Sequence, residues 1–335
     1  MPSRFLKGLL LLTFFYPLRW FVRCFSRRQA LRLGVFLGTA HARLVRDQLY
    51  GQVAAGLRCV FRREMSEAEI RRVVRCNLVA RYQHLLDGFF YRDLDEEGID
   101  QFVPIVEGRD TLDASLAGGK GVILLASHFG PPGLLVAGLV FRGYRLHQVF
   151  TLTPPPYYRT WRWMERAVMQ AKLQCWRHDR VGFEFWQPGR YLRPLYRKLQ
   201  QGAIVVLYGD GARGERFTRV NFLGFPLSLA VGPFRIAARA RVPLIPAFIV
   251  RHAEGRHRIT LEAPITLCDE APASLQQGAD RYAALLSRYV RTYPDHWFTW
   301  ARLRPHRGAE GVTLTLTTPE VDRTHFYTPT TRREA

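Results

Sequence analysis

Five consecutive apolar residues, Val122-Ile-Leu-Leu-Ala126, follow Gly118-Gly-Lys-Gly121 and run straight into Ser127-His-Phe-Gly-Pro-Pro132. A run of this length has no polar side to offer water. Bounded by glycines in front and a turn cluster behind, it has the pattern of a strand covered on both faces. Leu134-Leu-Val136 resumes the apolar character after the prolines. Proline is tolerated in the first turn of a helix, so the segment reads as strand, tight turn, helix. His128 then stands at the carboxyl end of a buried strand, where open α/β sheets place their ligands. The competing reading of His128 is a partly buried imidazole bonded to backbone.

The rest of the chain repeats this rhythm. Residues 30–60 have a helical period, and Ser66 with Glu69 has the spacing of a capping box, opening a helix that continues to Leu85. Asp110 can cap a short helix ending at Gly118-Gly119. Beyond the His128 turn come a helix to about Val140 and a strand from Leu146 to Leu152. Pro154-Pro-Pro156 marks a loop, followed by a helix over Tyr158–Leu173 and another over Tyr191–Gln200. Ala203–Tyr208 reads as a second buried strand, Gly209–Gly214 as a sharp turn and Asn221–Pro226 as a loop. Val231–Arg239 is helical, Leu244–Val250 and Arg258–Glu262 are strands, and Asp280–Tyr293 is a helix. The threonine-rich end from about Arg307 reads as a tail. Such alternation predicts an α/β fold, a mixed central sheet flanked by helices, preceded by an N-terminal membrane-associated helical segment.

That N-terminal segment is Phe5-Leu-Lys-Gly-Leu-Leu-Leu-Leu-Thr-Phe-Phe-Tyr-Pro-Leu-Arg-Trp-Phe-Val-Arg23. Pro17 and Arg19 interrupt it, which makes it short for a span of about 20 apolar residues. Leucines and aromatics interleaved with Arg4, Lys7, Arg19, Arg23, Arg27 and Arg28 suit a helix lying in an anionic membrane interface. The net charge of +21 points the same way, toward a polyanionic partner. The chain carries no zinc-finger spacing and no recognisable nucleic-acid signature, so nucleic acid is not the expected partner. Its five scattered cysteines read as reduced thiols rather than a disulfide frame.

Gly209, Gly211 and Gly214 match G-x-G-x-x-G, but the following Glu215-Arg-Phe-Thr218 opens no obvious helix, which a dinucleotide fingerprint requires. The nucleophile elbow of serine hydrolases, the zinc-protease motif and the phosphate-loop lysine are also missing. What remains is His128 at a strand-end turn, Asp210 at a second strand end, and many arginines. This set fits a general base that takes a proton from an acceptor hydroxyl or amine, with the nucleophile supplied by the substrate.

Arg75-Cys-Asn-Leu78, Leu125-Ala-Ser-His-Phe-Gly130, Tyr208-Gly-Asp210, Asn221-Phe-Leu-Gly-Phe-Pro226, Val242–Arg251 and Pro294-Asp-His-Trp-Phe-Thr-Trp300 occur in this order. With the hydrophobic N-terminus they give residues 1–306 a resemblance to the lysophospholipid acyltransferase superfamily, in its branch of late lipid A (lauroyl/myristoyl) acyltransferases. The resemblance implies an enzyme on the cytoplasmic face of the inner membrane. It would move a fatty acyl group from an acyl-carrier-protein or coenzyme A thioester to a lipid or other amphiphilic acceptor. No metal and no tightly bound cofactor are implied. The family motif is histidine, four residues, then aspartate or glutamate; here the acid's position is Gly133. Asp210 is the first candidate to replace it as the partner of His128, with Glu184 and Asp179 behind. Arg180, Arg213 and Arg251 are candidate contacts for phosphate or carrier, since guanidinium forks match phosphate oxygens. The alternative is a catalytically silent homologue that binds lipid or a partner enzyme. The expected layout is a membrane-anchoring helix over 1–28, an acyltransferase-like α/β domain over 29–306 and a tail over 307–335.

Overall fold

The computed structural model describes residues 4–45, 47–149, 163–164, 167, 184–186, 193–212, 214–252, 255–308 and 311–317. Its strands are β1 (Ile105–Glu107), β2 (Val122–Ala126), β3 (Leu146–Val149), β4 (Glu184–Trp186), β5 (Ile204–Tyr208), β6 (Phe217–Phe222), β7 (Phe225–Ala230), β8 (Leu244–Arg251), β9 (His257–Leu261), β10 (Leu303–Gly308) and β11 (Gly311–Leu316). Among the described residues, seven of them form the central sheet in the order β1-β9-β8-β2-β5-β3-β4. All its pairs are parallel except β8 with β9.

The apolar runs do what their composition dictates. Alternate residues of β2 and β5 point to opposite faces, and both faces are covered. Ile123, Leu125, Val205 and Leu207 enter one core cluster. Val122, Leu124, Ala126, Ile204 and Val206 enter another.

The helices are α1 (Arg4–Thr13), α2 (Arg19–Arg23), α3 (Arg27–Leu44), α4 (Gln48–Phe61), α5 (Glu67–Asp87), α6 (Glu96–Phe102), α7 (Arg109–Leu116), α8 (Pro132–Val140), α9 (Arg193–Gln200), α10 (Gly232–Ala240) and α11 (Pro272–Thr292). A π turn over Phe14–Leu18, holding Pro17, joins α1 to α2. Proline lacks the N–H that a regular helix needs, so local rewinding at this point has a cause. Phe15 and Val22 pack against Ala30, Leu86 and Phe89, while Trp20, Phe21 and Phe25 are exposed. Among the described residues no helix is long and apolar enough to cross a membrane. The expected capping box is present: the Ser66 backbone N–H donates to Glu69 Oε2 at 2.7 Å and the Glu69 N–H to Ser66 Oγ at 3.3 Å. Gly38 lets α3 lie directly on α5, since a Cβ there would come 2.5 Å from Val79 Cα.

Several elements differ from the sequence reading. Asn221–Pro226 is no loop but the tip of the β6–β7 hairpin, turned at Leu223 and Gly224, both with positive φ. Residues 307–308 and 311–316 are no tail: β10 and β11 pair and extend β7 into a second sheet, in the order β10-β11-β7-β6. Threonine alternating with valine and leucine suits a strand with one covered face, and Leu314 and Leu316 are buried. The last long helix starts at Pro272, well before Asp280, with proline in its first turn. The helix expected over Tyr158–Leu173 falls largely outside the described residues, and so does the strand beyond Val149. Cys24, Cys59, Cys76 and Cys268 are free thiols.

Candidate active site

β2 and β5 are adjacent and parallel, with Ala126 opposite Tyr208. Two residues further along each chain stand His128 and Asp210, so the register itself sets them side by side. Neighbouring strands lie about 4.8 Å apart, which side chains span with one hydrogen bond. His128 Nδ1 is 2.8 Å from Asp210 Oδ1, and the His128 backbone N–H lies 3.0 Å from each carboxylate oxygen. The Asp210 side chain is fully buried and that of His128 is 32% exposed. One end of the pair is therefore sealed and the other open.

Two further donors complete the carboxylate. Trp297 Nε1 donates to Asp210 Oδ2 at 2.9 Å and Thr299 Oγ1 donates to the same oxygen at 2.8 Å. Burial is the largest influence on Asp210 and pushes its carboxyl up. The adjacent imidazole and the bonds from His128, Thr299 and Trp297 oppose it, and together they hold the carboxyl below its ordinary range. An ionised Asp210 can only accept, so it keeps the proton of neutral His128 on Nδ1 and leaves the Nε2 lone pair free. No hydrogen bond to Nε2 is formed among the described residues. The Tyr208 ring lies against the imidazole, with centroids 4.7 Å apart. Its hydroxyl accepts from Gln148 Nε2 at 3.1 Å. Burial and then the Asp210 charge push the Tyr208 phenol far up, so it stays neutral.

The turn is held by a strap, residues 294–302, from the C-terminal side of the chain. Phe129 forms a bridge with Trp297, the Phe298 N–H donates to His128 O at 2.8 Å and the Gly130 N–H to His296 O at 2.9 Å. Gly130 has φ of 59°, and a Cβ there would come 2.1 Å from Ile249 O. Only glycine lets the chain turn here against β8. The strap is anchored in turn by Asn77 of α5, a buried amide that donates to Asp295 O at 2.7 Å and Trp297 O at 3.1 Å. Arg81 bonds both Asn77 Oδ1, at 2.9 Å, and Phe298 O.

The structure thus brings His128 and Asp210 together. Gly133 is buried in the first turn of α8 and carries no acid. Glu184 starts β4, and β3 and β5 separate that strand from β2; Asp179, Arg180 and Arg213 lie outside the described residues. Arg251 is not at His128. Its Nη2 pairs with Asp87 Oδ2 at 2.8 Å, and Arg27 Nε takes Oδ1 of the same fully buried carboxylate at 2.8 Å. Among the described residues no group of three metal-ligating side chains is assembled. Sequence reasoning gave no role to Trp297, Thr299 or Asn77. A polar amide in line with the apolar positions Val73, Val74 and Leu78 of a helix was the signal available for Asn77.

Comparison with known proteins gives two findings. The sequence profile described as bacterial lipid A biosynthesis acyltransferase matches residues 6–304. Curated relatives called phosphatidylinositol mannoside acyltransferase, from Mycobacterium tuberculosis strains CDC 1551 / Oshkosh and ATCC 25618 / H37Rv, are each 25% identical over 197 residues. That match covers 58% of this chain and 57% of each relative, so the chain spans little more than half the length of the relatives it matches.

Proposed function

Because the chain belongs to the bacterial lipid A biosynthesis acyltransferase family, we propose that it moves a fatty acyl group from a thioester, on acyl-carrier protein or coenzyme A, to a lipid or other amphiphilic acceptor. The observation that carries the reading is the 2.8 Å bond between His128 Nδ1 and the sealed Asp210 carboxylate, with the far edge of the imidazole open. In the proposed step His128 Nε2 takes the proton of the acceptor hydroxyl as its oxygen attacks the thioester carbonyl. The tetrahedral intermediate collapses, the C–S bond breaks, and the imidazolium returns the proton to the leaving thiolate. Asp210 stays ionised throughout, fixes the tautomer and stabilises the transient imidazolium. A general-base histidine needs a carboxylate within hydrogen-bond reach of Nδ1, and Asp210 lies there. The Asp210 geometry therefore supports catalysis despite Gly133.

The relatives' names place their substrates among lipids, which supports a lipid acceptor for this chain. Exposed Trp20, Phe21 and Phe25, with Phe36 and Leu44 on α3, support docking on a membrane, read as the cytoplasmic face of the inner membrane. The test of the chemistry is transfer of a labelled acyl group from thioester donors to a membrane lipid extract. His128→Ala is expected to abolish it while the protein stays folded; activity within a few-fold of the parent ends the general-base reading. Deleting residues 1–28 is expected to lower the membrane-bound fraction, and an unchanged fraction removes that segment as principal anchor.

A further inference from the structure

A cavity of about 450 Å³ lies behind the catalytic turn, between α3, α5 and the strap. Gly130 and Pro131 form part of its wall, but His128 and Tyr208 do not. Its lining combines two guanidinium groups and an imidazole with apolar surface: Arg75, Arg251 and His252 beside Val35, Val79 and Ala80. Arg75 and His252 are exposed and have no side-chain bond or ion pair among the described residues. Beside them lies a partly buried charge imbalance. Among the described residues Arg27 and Arg251, 15% and 13% exposed, share the single carboxylate of Asp87, two guanidinium charges against one. The acid in the lining, Asp295, faces its neighbour His296, with Nδ1 and Oδ1 3.2 Å apart. A partly desolvated surplus of positive charge favours a bound anion. The mouth borders the outer side of α3, where Val35 and Phe36 are 44% and 67% exposed.

We propose that this cavity is a second binding site, separate from the cleft at His128, for the phosphate of an amphiphile whose apolar part lies along Val35, Val79 and Ala80. Arginine matches phosphate in charge and geometry, and the volume falls within the range of ligand pockets. A phosphate on a chain can come from a membrane lipid or from the phosphopantetheine arm of an acyl donor. Entry from a membrane rests on the reading given under Proposed function; the binding itself does not.

The experiment is calorimetric titration of the full chain with dihexanoyl phosphatidate below its micelle concentration, and separately with 4′-phosphopantetheine. No acyl transfer is involved, so failure here and failure of the acyltransferase reading are distinguishable. The parent is expected to bind, and Arg75→Glu to weaken Kd by about tenfold or more. Ala80→Trp, which fills the cavity, is expected to do the same. Arg281→Glu changes the charge equally on an exposed part of α11 outside the cavity, and is expected to bind like the parent, as is His128→Ala. Tighter binding of phosphatidate assigns a lipid ligand, and tighter binding of phosphopantetheine assigns the donor arm. If Ala80→Trp does not fold, the contrast of Arg75→Glu with Arg281→Glu decides. Equal weakening by those two reduces the effect to bulk charge and overturns the proposal. Loss in His128→Ala, or no binding of either probe by the parent, overturns it too.

Discussion

Asp210→Asn removes one charge from a fully buried site at almost constant shape, and the outcome follows from the donors around it. Four groups point hydrogens at the two carboxylate oxygens: the His128 N–H, His128 Nδ1, Trp297 Nε1 and the Thr299 hydroxyl. An amide offers one oxygen and one NH₂. With its oxygen at the Oδ2 site it keeps Trp297 and Thr299, and it still reaches the His128 N–H, which lies 3.0 Å from that site. Its NH₂ then faces Nδ1, and the ring accommodates by moving its proton to Nε2. With its oxygen at the Oδ1 site the tautomer is right, but the NH₂ opposes the Trp297 N–H, a buried donor conflict costing about 1–3 kcal/mol. The wrong tautomer is therefore favoured by that amount. Losing a charged partner for the imidazolium adds about 1.5–3 kcal/mol. Together these predict a fall in kcat of roughly a hundred- to ten-thousand-fold, with stability lowered by only about 1–2 kcal/mol. Initial rates of labelled acyl transfer, beside urea melts, check both numbers. A folded variant turning over within fivefold of the parent would refute the tautomer argument.

Three further outcomes are expected. Asn77→Ala removes the donor to Asp295 O and Trp297 O and should cost about 1–3 kcal/mol in urea melts, with a fall in turnover as the strap loosens; unchanged values would show the strap is held elsewhere. Gly130→Ala places a Cβ against Ile249 O at positive φ and should cost more than about 2 kcal/mol, so a thermal melt matching the parent contradicts the turn geometry. Burial, the largest influence on Asp87, raises its pKa, but the Arg251 and Arg27 charges outweigh it, and both Asp87 and Asp210 are held below the ordinary range. A carboxyl depressed in the folded state contributes stability that is complete above its unfolded value and lost as pH falls through the folded one. Stability should thus drop below about pH 4, and Asp87→Asn should flatten that acid limb of the urea midpoint; an identical limb rejects the assignment.

The strands that frame the site were legible because β2 and β5 are buried on both faces, which forces unbroken apolar runs between glycines. That same pattern placed His128 and Asp210 at strand ends. Their adjacency was not in the pattern, because apolar runs do not state which strands pair or in what register. The β6–β7 hairpin was missed because its turn puts Leu223 at a positive φ of 54°, where Gly or Asn is the usual signal. The β10–β11 pair is steadied by Leu227 and Ser228 of β7, which face Leu314 and Thr315, information that threonine content alone does not carry. Trp297 and Thr299 were invisible as donors for the same reason. They reach Asp210 only because a strap far along the chain bridges to Phe129.

The path from Asn77 to Asp210 has a consequence for how the N-terminal half relates to the chemistry. Asn77 holds the carbonyls of Asp295 and Trp297, the strap presents Trp297 and Thr299, and both donate to Asp210. α5 is therefore part of the support of the Asp210 carboxylate rather than an annex beside the sheet. The same helix ends in Asp87, which ties Arg27 of α3 and Arg251 of β8 to one buried site. α3 in turn carries the exposed apolar residues Phe36 and Leu44. α3 thus has a short route of polar bonds to the strap, from Arg27 through Asp87 to Arg251, whose backbone N–H donates to His296 Nε2 at 3.1 Å. Bonds of this kind are costly to leave half made, so α3 and α5 are expected to move as one body. Losing the Trp297 and Thr299 donors would remove two of the bonds that hold the Asp210 carboxyl below its ordinary range and would loosen the carboxylate that positions the imidazole.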